Sequence, residues 1–500
     1  MNVLSILLDD IGLEQFNRWG RGSNYPATPT IDAWVDGGIK FTKFYVQQLC
    51  SPTRATILTG VHPFRHGIGD LVRGPIQLVS IETRKGLQYP TVASWCKKAG
   101  IGIRTAAIGK WHLSTEFEGG LYGPSFSGFD YCSVNMFNLP GSTVDGSPAA
   151  QTYHTWSKNV NGKLVQEDEY LPKVNVRELI EWINQRGKEP WVVHLAPYSC
   201  HTPFVVNGAT VPYDPATEIT GAPPDGTYDD VTWDITTAAT QTVDGQTLKL
   251  ADRNIFKACI EAIDYYLGTI ASSVAPEVWN DTLVILMTDN GSGVQSAALE
   301  VDPLTGTNYP LTTSRAKDTP YDGATHCPLL MYSAGDLITN PGREVTDVVS
   351  AVDICPTILD LMGVSTPNTT LHGKSLVPYI DDTSSSPVND YIYSEHFLQN
   401  HGVDRNNGFL SPEKPVDDDE REENQWVVCD GKYQLIYNRP LANPIVKTNP
   451  DTYFEFYDLD ADPHQLTNLT PGGSTSGLSG SEAAARTAML EWRTALIAAG

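Results

Sequence analysis

Basic residues are scarce in this chain. Its 500 residues set 34 Lys and Arg against 59 Asp and Glu, a net charge of −25. Such a surface repels nucleic acid and anionic membrane faces, so neither is an expected partner. Long apolar runs are lacking: no stretch approaches the roughly 20 residues that span a bilayer. The opening Met1-Asn2-Val3-Leu4 enters an apolar segment without the basic region of a secretion signal. Close cysteine pairs are lacking too. The eight thiols, at 50, 96, 132, 200, 259, 327, 355 and 429, are scattered, which fits reduced, buried side chains better than a disulfide framework. The expected compartment is therefore the cytoplasm, or the periplasm or exterior if a signal peptide has been removed.

What is present is an ordinary globular composition, 40% apolar and 19% charged, with length for two or three domains. Several short segments are almost continuously apolar and bounded by turn residues: Val3–Leu8, Gly102–Ile108, Trp191–Ala196, Thr282–Met287 and Leu329–Tyr332. Such runs read as strands covered on both faces. Helical patterns lie between them, clearest at Arg253–Ser272 and around Val174–Arg186. This predicts an α/β fold over residues 1–385, with a large mixed, mostly parallel sheet sandwiched by helices. Beyond it, Trp426–Val428 and Tyr433–Tyr437 flank Asp430-Gly431, a hairpin signal. With a strand at Tyr453–Tyr457 and a last helix near Glu482–Ala498, residues 386–500 read as a smaller α+β domain. The loop-rich stretch from Thr202 to Thr247 is either a surface insertion or a rim around a substrate mouth, and the acidic segment Asp417–Glu423 reads as a solvated loop.

Three apolar strands end in polar residues that carry chemistry: Asp9-Asp10, Asp289-Asn290-Gly291, and a segment running to His201. Ligands of open α/β sheets bind outside the carboxyl ends of the strands. Each piece alone has a bland alternative, since aspartates open loops and Asn-Gly makes turns. Together, Asp9, Asp10, Asp289 and Asn290 offer four hard oxygens, three of them anionic, a set suited to calcium or magnesium and not to zinc. A fourth element, Cys50-Ser51-Pro52-Thr53-Arg54, reads as a helix start with Ser51 as N-cap and Pro52 in the first turn. That places Cys50 and Arg54 at the positive end of a helix, an anion cradle. A buried cysteine beside an ordinary helix has the same spacing.

Cys50-x-Pro52-x-Arg54 followed by Leu58-Thr59-Gly60 resembles the signature of the type I sulfatases, in the alkaline-phosphatase-like superfamily. The resemblance extends through Asp9-Asp10, Gly109-Lys110-Trp111-His112-Leu113, the His201 segment, Asp289-Asn290-Gly291, Lys317 ahead of Tyr321-Asp322-Gly323-Ala324, and Tyr457-Asp458-Leu459 with Asp462-Pro463. His326 stands where the family usually has arginine after the Tyr-Asp-Gly segment, a departure expected to alter the mouth of the pocket. The resemblance implies a sulfuric ester hydrolase whose Cys50 is oxidised to formylglycine by a separate maturation enzyme. It implies calcium, with magnesium as second choice, held by Asp9, Asp10, Asp289, Asn290 and the modified Cys50. One hydroxyl of the hydrated aldehyde attacks sulfur, and the other then expels sulfate. Arg54 and His112 are expected around the modified residue, with Lys110 and Lys317 on the sulfate oxygens. His201, expected to titrate near neutrality, protonates the leaving oxygen. Such a cluster of cations also reconciles the acidic chain with an anionic substrate, a small-molecule or saccharide sulfate ester. Lys110 and His112, two apart, face one side if the segment is extended, with Trp111 on the other. Two alternatives stay open: a phosphonate or phosphate diester hydrolase of the same superfamily, and a binding protein without chemistry.

Overall fold

The computed structural model describes residues 1–72, 89–114, 120–136, 138, 153, 155–198, 200–201, 240–243, 246–293, 300–301, 308–309, 315–367, 371–397, 424–439 and 450–499. Asp417–Glu423, and the Thr202–Thr247 stretch apart from a hairpin of Thr240–Val243 with Gln246–Lys249, lie outside them.

The main sheet runs Arg343–Val345, Ile39–Tyr45, His326–Tyr332, Thr282–Thr288, Asn2–Leu8, Trp191–Ala196, Arg104–Lys110, Tyr131–Asn135, Trp156–Val160 and Lys163–Glu167, and Val349–Ser350 adds an eleventh strand beside Ile39–Tyr45. Its centre is parallel: Asn2–Leu8 pairs with Thr282–Thr288 and with Trp191–Ala196, and Arg104–Lys110 pairs with Trp191–Ala196 and Tyr131–Asn135. Antiparallel strands flank that centre on both sides.

The first strand shows why the centre is apolar throughout. Val3 and Leu7 enter one core, which contains residues of helices Cys50–Thr59, Val92–Ala99 and Ile354–Leu361. Leu4, Ile6 and Leu8 enter the other, with helices Pro29–Asp36, Leu171–Asn184 and Leu250–Ser273. Both faces are thus covered, as the near-continuous apolar runs predicted. The outer strands were less legible. Ile39–Tyr45 alternates Ile, Lys, Phe, Thr, Lys, and Lys163–Glu167 is mostly half-exposed, so neither stands out as an apolar run. Arg104–Lys110 starts two residues later than the apolar run suggests, because Gly102 turns the chain at φ +83°.

A second sheet, antiparallel throughout, pairs Ile392–Phe397, Asn424–Cys429, Tyr433–Asn438 and Phe454–Asp458 in that order. The expected hairpin turns at Asp430-Gly431: the Asp430 carboxylate accepts from the N–H groups of Lys432 and Tyr433, and Gly431 sits at φ +88°. Helix Gly480–Ala499 packs Met489 and Trp492 onto Tyr393, Trp426 and Leu435. Among the described residues, no helix is long and apolar enough to cross a membrane.

Parallel pairing sets the carboxyl ends of five strands on one edge, and Gly109 sets how closely two of them meet. It has φ +95°, and a Cβ there would lie 2.0 Å from the Ala196 carbonyl oxygen. Gly102 shares the left-handed conformation but has open space around it. Gly109→Ala should therefore lower stability by at least about 3 kcal/mol, from left-handed strain plus a backbone clash. Gly102→Ala should lose only the conformational part, about 1–2 kcal/mol. Scanning calorimetry of the two variants checks this, and equal losses would remove the close approach as the cause.

Candidate active site

Strand Asn2–Leu8 delivers Asp9 and Asp10, and its neighbour Thr282–Thr288 delivers Asp289 and Asn290. Asp10 turns at φ +60°, which aims its N–H at Asp289 Oδ1 (3.2 Å). Asn290 Nδ2 donates to Asp10 Oδ1 at 2.8 Å. Gly291 follows because nothing larger fits: a Cβ would meet the Gly323 carbonyl oxygen at 1.8 Å. Two segments far apart in sequence, Asp289-Asn290-Gly291 and Tyr321-Asp322-Gly323-Ala324, therefore pack backbone on backbone, and the Gly291 N–H donates to Ala324 O.

Helix Cys50–Thr59 points its first residue at these oxygens. Cys50 Sγ lies 3.6 Å from Asp9 Oδ1, 3.8 Å from Asp10 Oδ1, 3.3 Å from Asn290 Oδ1 and 3.4 Å from Lys317 Nζ. The helix begins two residues earlier than expected. Leu49, not Ser51, is the N-cap, and Ser51 instead donates to the His112 carbonyl and accepts from the Val72 N–H. One turn on, buried Arg54 donates from Nη2 to Asp289 Oδ2 at 2.7 Å and from Nη1 to the Lys110 carbonyl at 2.9 Å, and approaches Asp9 Oδ2 at 3.7 Å.

Lys110 ends its strand with Nζ 2.5 Å from Asp9 Oδ2 and over the Tyr198 ring. His112 does not continue an extended segment. It lies at φ +56° and its N–H donates to Met136 O, so a turn, not strand alternation, buries it beside Lys110. Lys317 Nζ reaches Asp10 Oδ1 at 2.5 Å, and His201 Nε2 lies 3.6 Å from Asp10 Oδ2. All ten residues singled out in the sequence thus reach one buried pocket. Asp9, Asp10, Cys50 and His201 present ligand atoms within 4.8 Å of one another. Beside them, Asp289 accepts from Arg54 and from the Asp10 N–H. His326 is stacked on Tyr45 and bonded to Asp322 and the Thr42 carbonyl.

The charges are set by mutual burial. Burial raises the Asp9 carboxyl, but Lys110, His201 and Arg54 outweigh it and hold it well below the usual range. Asp289 is pushed up to about 6 by burial and by Asp9, with Arg54 opposing. Burial and the Asp289 charge push the Cys50 thiol up, so the bare side chain is a protonated thiol at neutral pH, despite the helix end. His112 is driven well below its ordinary value by burial, Lys110 and Arg54. His201 does not titrate near neutrality in this pocket. Burial brings it to about 4, with Lys110 and Lys317 adding to the effect and Asp10 opposing it.

The sulfatase family model matches residues 1–364, and a model for the C-terminal part of N-sulphoglucosamine sulphohydrolase matches 316–413. The chain belongs to the sulfatase family. It is accordingly a sulfuric ester hydrolase, with the alkaline-phosphatase-like fold that its resemblance implied. Bovine (Bos taurus) arylsulfatase A is 25% identical over 498 residues, covering 94% of this chain and 83% of that one. Human (Homo sapiens) arylsulfatase A is 25% identical over 404 residues, covering 77% and 69%. Among solved structures, Ps i-CgsB in complex with k-i-k-neocarrahexaose superposes with TM-score 0.67 at 18% identity, covering 99% of this chain and 92% of that one. Phosphonate monoester hydrolase of Agrobacterium radiobacter gives 0.61 at 18%, covering 100% and 95%. At that identity both show the fold alone.

Several residues that build this sulfatase site escaped sequence reasoning. Ser292 accepts from the Gly12 N–H through Oγ and from the Lys317 N–H through its carbonyl, joining two loops of the pocket. Tyr153 donates to the His201 carbonyl, and Tyr198 lies between His201 and Lys110. His194, in the strand that leads to His201, is buried and held to about 3 by burial and by Arg54. None carries a local signal, since serine, tyrosine and strand histidine are common everywhere.

His194 generates a pH prediction. Its folded value lies below the ordinary 6.5, so above pH 6.5 both states are neutral and it contributes nothing. Below 6.5 the unfolded chain takes the proton first, and stability falls until about pH 3. Each such group steepens the loss by up to about 1.4 kcal/mol per pH unit. His194→Gln should flatten the fall in unfolding free energy between pH 6.5 and 4 by about that slope. Urea unfolding across this range checks it, and an unchanged slope would rule out the assignment.

Proposed function

We propose that this sulfatase hydrolyses sulfate esters of small molecules or saccharides through a formylglycine made from Cys50, with calcium in the same pocket. One observation carries the proposal: at the first residue of its helix, Cys50 Sγ stands among Asp9, Asp10 and Asn290 oxygens and the Lys317 ammonium. A buried, protonated thiol neither ligates a hard cation well nor attacks sulfur. Formylglycine, once hydrated, supplies the nucleophilic oxygen that the thiol lacks.

The donor set fits calcium. Asp9, Asp10, Asp289 and Asn290 are hard oxygen donors in a buried site. Such an ion, when bound, supplies positive charge that favours an ionised hydroxyl on residue 50. Asn290, a neutral oxygen where an imidazole would favour a transition metal, supports calcium over the metal of a phosphonate hydrolase. In our proposal Arg54 holds Asp9 and Asp289 ionised, Lys110 and Lys317 bind sulfate oxygens, and neutral His112 hydrogen-bonds the modified residue. His201 faces the leaving oxygen. An entering sulfate ester adds negative charge near its ring and favours the protonated form that donates. Eight free, buried thiols support a reducing compartment such as the cytoplasm. We also propose the domain boundary at 385/386, between Tyr379–Ile380 of the large core and Ile392 of the second sheet.

For the modification and the metal, peptide mass spectrometry of active protein should show the aldehyde at residue 50. Calcium added after chelation should raise the thermal midpoint as well as restore activity, by a stabilisation of about 2.7 kcal/mol at a hundredfold excess over Kd. An alkylatable Cys50 in fully active enzyme would sink the mechanism. Activity that depends on zinc or manganese would favour a phosphonate hydrolase.

His201 and Lys317 should divide labour. His201→Ala should lower turnover about 10²–10⁴-fold on an alkyl sulfate, the scale of general acid catalysis. It should lose much less on a nitrophenyl sulfate, whose alcohol leaves unaided. Lys317→Ala should injure both substrates about equally, because sulfate is anionic before and during reaction. If His201→Ala loses one factor on both esters, another group is the proton donor.

A further inference from the structure

The chain turn that carries Lys317 is held from outside the main sheet. Arg315 lies over the rings of Tyr321 and Tyr457, at 4.4 and 5.9 Å, and the Tyr321 hydroxyl donates to Glu455 of the second sheet. Lys317 itself is tied by its N–H to Ser292 O. The next residue, Asp318, is a non-glycine at φ +73°, and its N–H donates to Gln48 O, two residues before Cys50. Its carboxylate is largely exposed, but one oxygen faces His396, 3.7 Å from Nδ1. His396 lies on Ile392–Phe397, the strand of the second sheet whose Glu395 accepts from the Phe64 N–H and donates its own N–H to Gln47. The His396 ring is buried, and among the described residues neither nitrogen has a hydrogen-bond partner. Its other near neighbour is again a carboxylate, Asp70, 3.6 Å from Nε2. An imidazole without hydrogen bonds is expensive to bury unless neighbouring charge compensates it. Two carboxylates, one near each ring nitrogen, provide that charge.

We propose that His396 is a positioning residue: by holding the Asp318 carboxylate it sets the left-handed turn that aims Lys317 at the sulfate. The proposal rests on the sulfate-binding role given to Lys317 above. A second sheet far along the chain thereby tunes substrate affinity without touching the reacting atoms.

The test uses mature enzyme, nitrophenyl and alkyl sulfates, and inorganic sulfate as a competitive probe. His396→Phe and Asp318→Asn should each raise KM and the sulfate inhibition constant together, by about tenfold, with kcat within about threefold, as expected for lost uniform binding. The double variant should be no worse than the worse single one, since both break the same link. His396→Gln, which keeps an amide donor towards Asp318, should recover most of the loss. Lys317→Ala serves as reference. If it leaves the sulfate constant unchanged, the role of Lys317 fails and the inference with it. If Lys317→Ala is impaired while His396→Phe and Asp318→Asn bind sulfate normally, only the inference is overturned. A loss confined to one ester, with the sulfate constant unchanged, would also overturn it, pointing to direct contact with the alcohol. Should His396→Phe fail to fold, Asp318→Asn, an exposed side chain, decides alone.

Discussion

Everything in the pocket depends on three buried carboxylates and three buried cations neutralising one another. Asp9, Asp10 and Asp289 meet Arg54, Lys110 and Lys317 at separations of 2.5–3.7 Å. Each lowers the cost of burying its partners, because removing an ion from water without a partner costs several kcal/mol. The fold supplies the partners from five separate segments. Two parallel strands bring the acids, a third brings Lys110, a helix on one face brings Arg54, and a loop tied to the second sheet brings Lys317. Arg54 is the central member, since its guanidinium joins two carboxylates and the carbonyl of Lys110 in one buried fork.

That network explains the state of the uncharged groups. With the acids ionised and the bases held by them, burial decides the rest: the Cys50 thiol keeps its proton, and His112 and His201 lose theirs. A site made this way is preorganised for an anion but inert through its native cysteine, which is the physical reason that a modified residue 50 suits the chemistry. Backbone strain is concentrated in the same place, with Asp10, His112, Cys200 and Asp318 all at positive φ. Non-glycine residues hold such conformations where surrounding contacts over-determine them.

The second sheet is part of this arrangement and not an appendage. Its Glu395 accepts from the Phe64 N–H and donates its own N–H to the Gln47 side chain, its Glu455 anchors Tyr321, and Gln465, beyond its last strand, accepts from the Asp322 N–H. Gln47 lies three residues before Cys50, and Tyr321 and Asp322 follow closely on Lys317. The match of a C-terminal family model to 316–413, which begins inside the Lys317 loop, is consistent with that physical unity.

By itself the sequence determined the parallel centre of the sheet, because strands covered on both faces must be apolar along their whole length. It likewise determined the hairpin at Asp430-Gly431, whose turn needs a residue tolerant of positive φ. Polar groups crowded at strand ends pointed to Asp9, Asp10, Asp289, Asn290 and His201, and the family signature added Cys50, Arg54, Lys110, His112 and Lys317. The outer strands escaped because one-sided burial leaves polar residues among apolar ones. Only the tertiary structure decided how the named residues divide their work. It turned Asp289 towards Arg54, made Leu49 the cap and Ser51 a brace, and stacked His326 on Tyr45. It also lowered His201 far below neutrality. Each of these depends on which partners lie within a few ångströms, and for groups tens to hundreds of residues apart that is set by the folded chain and by no local pattern.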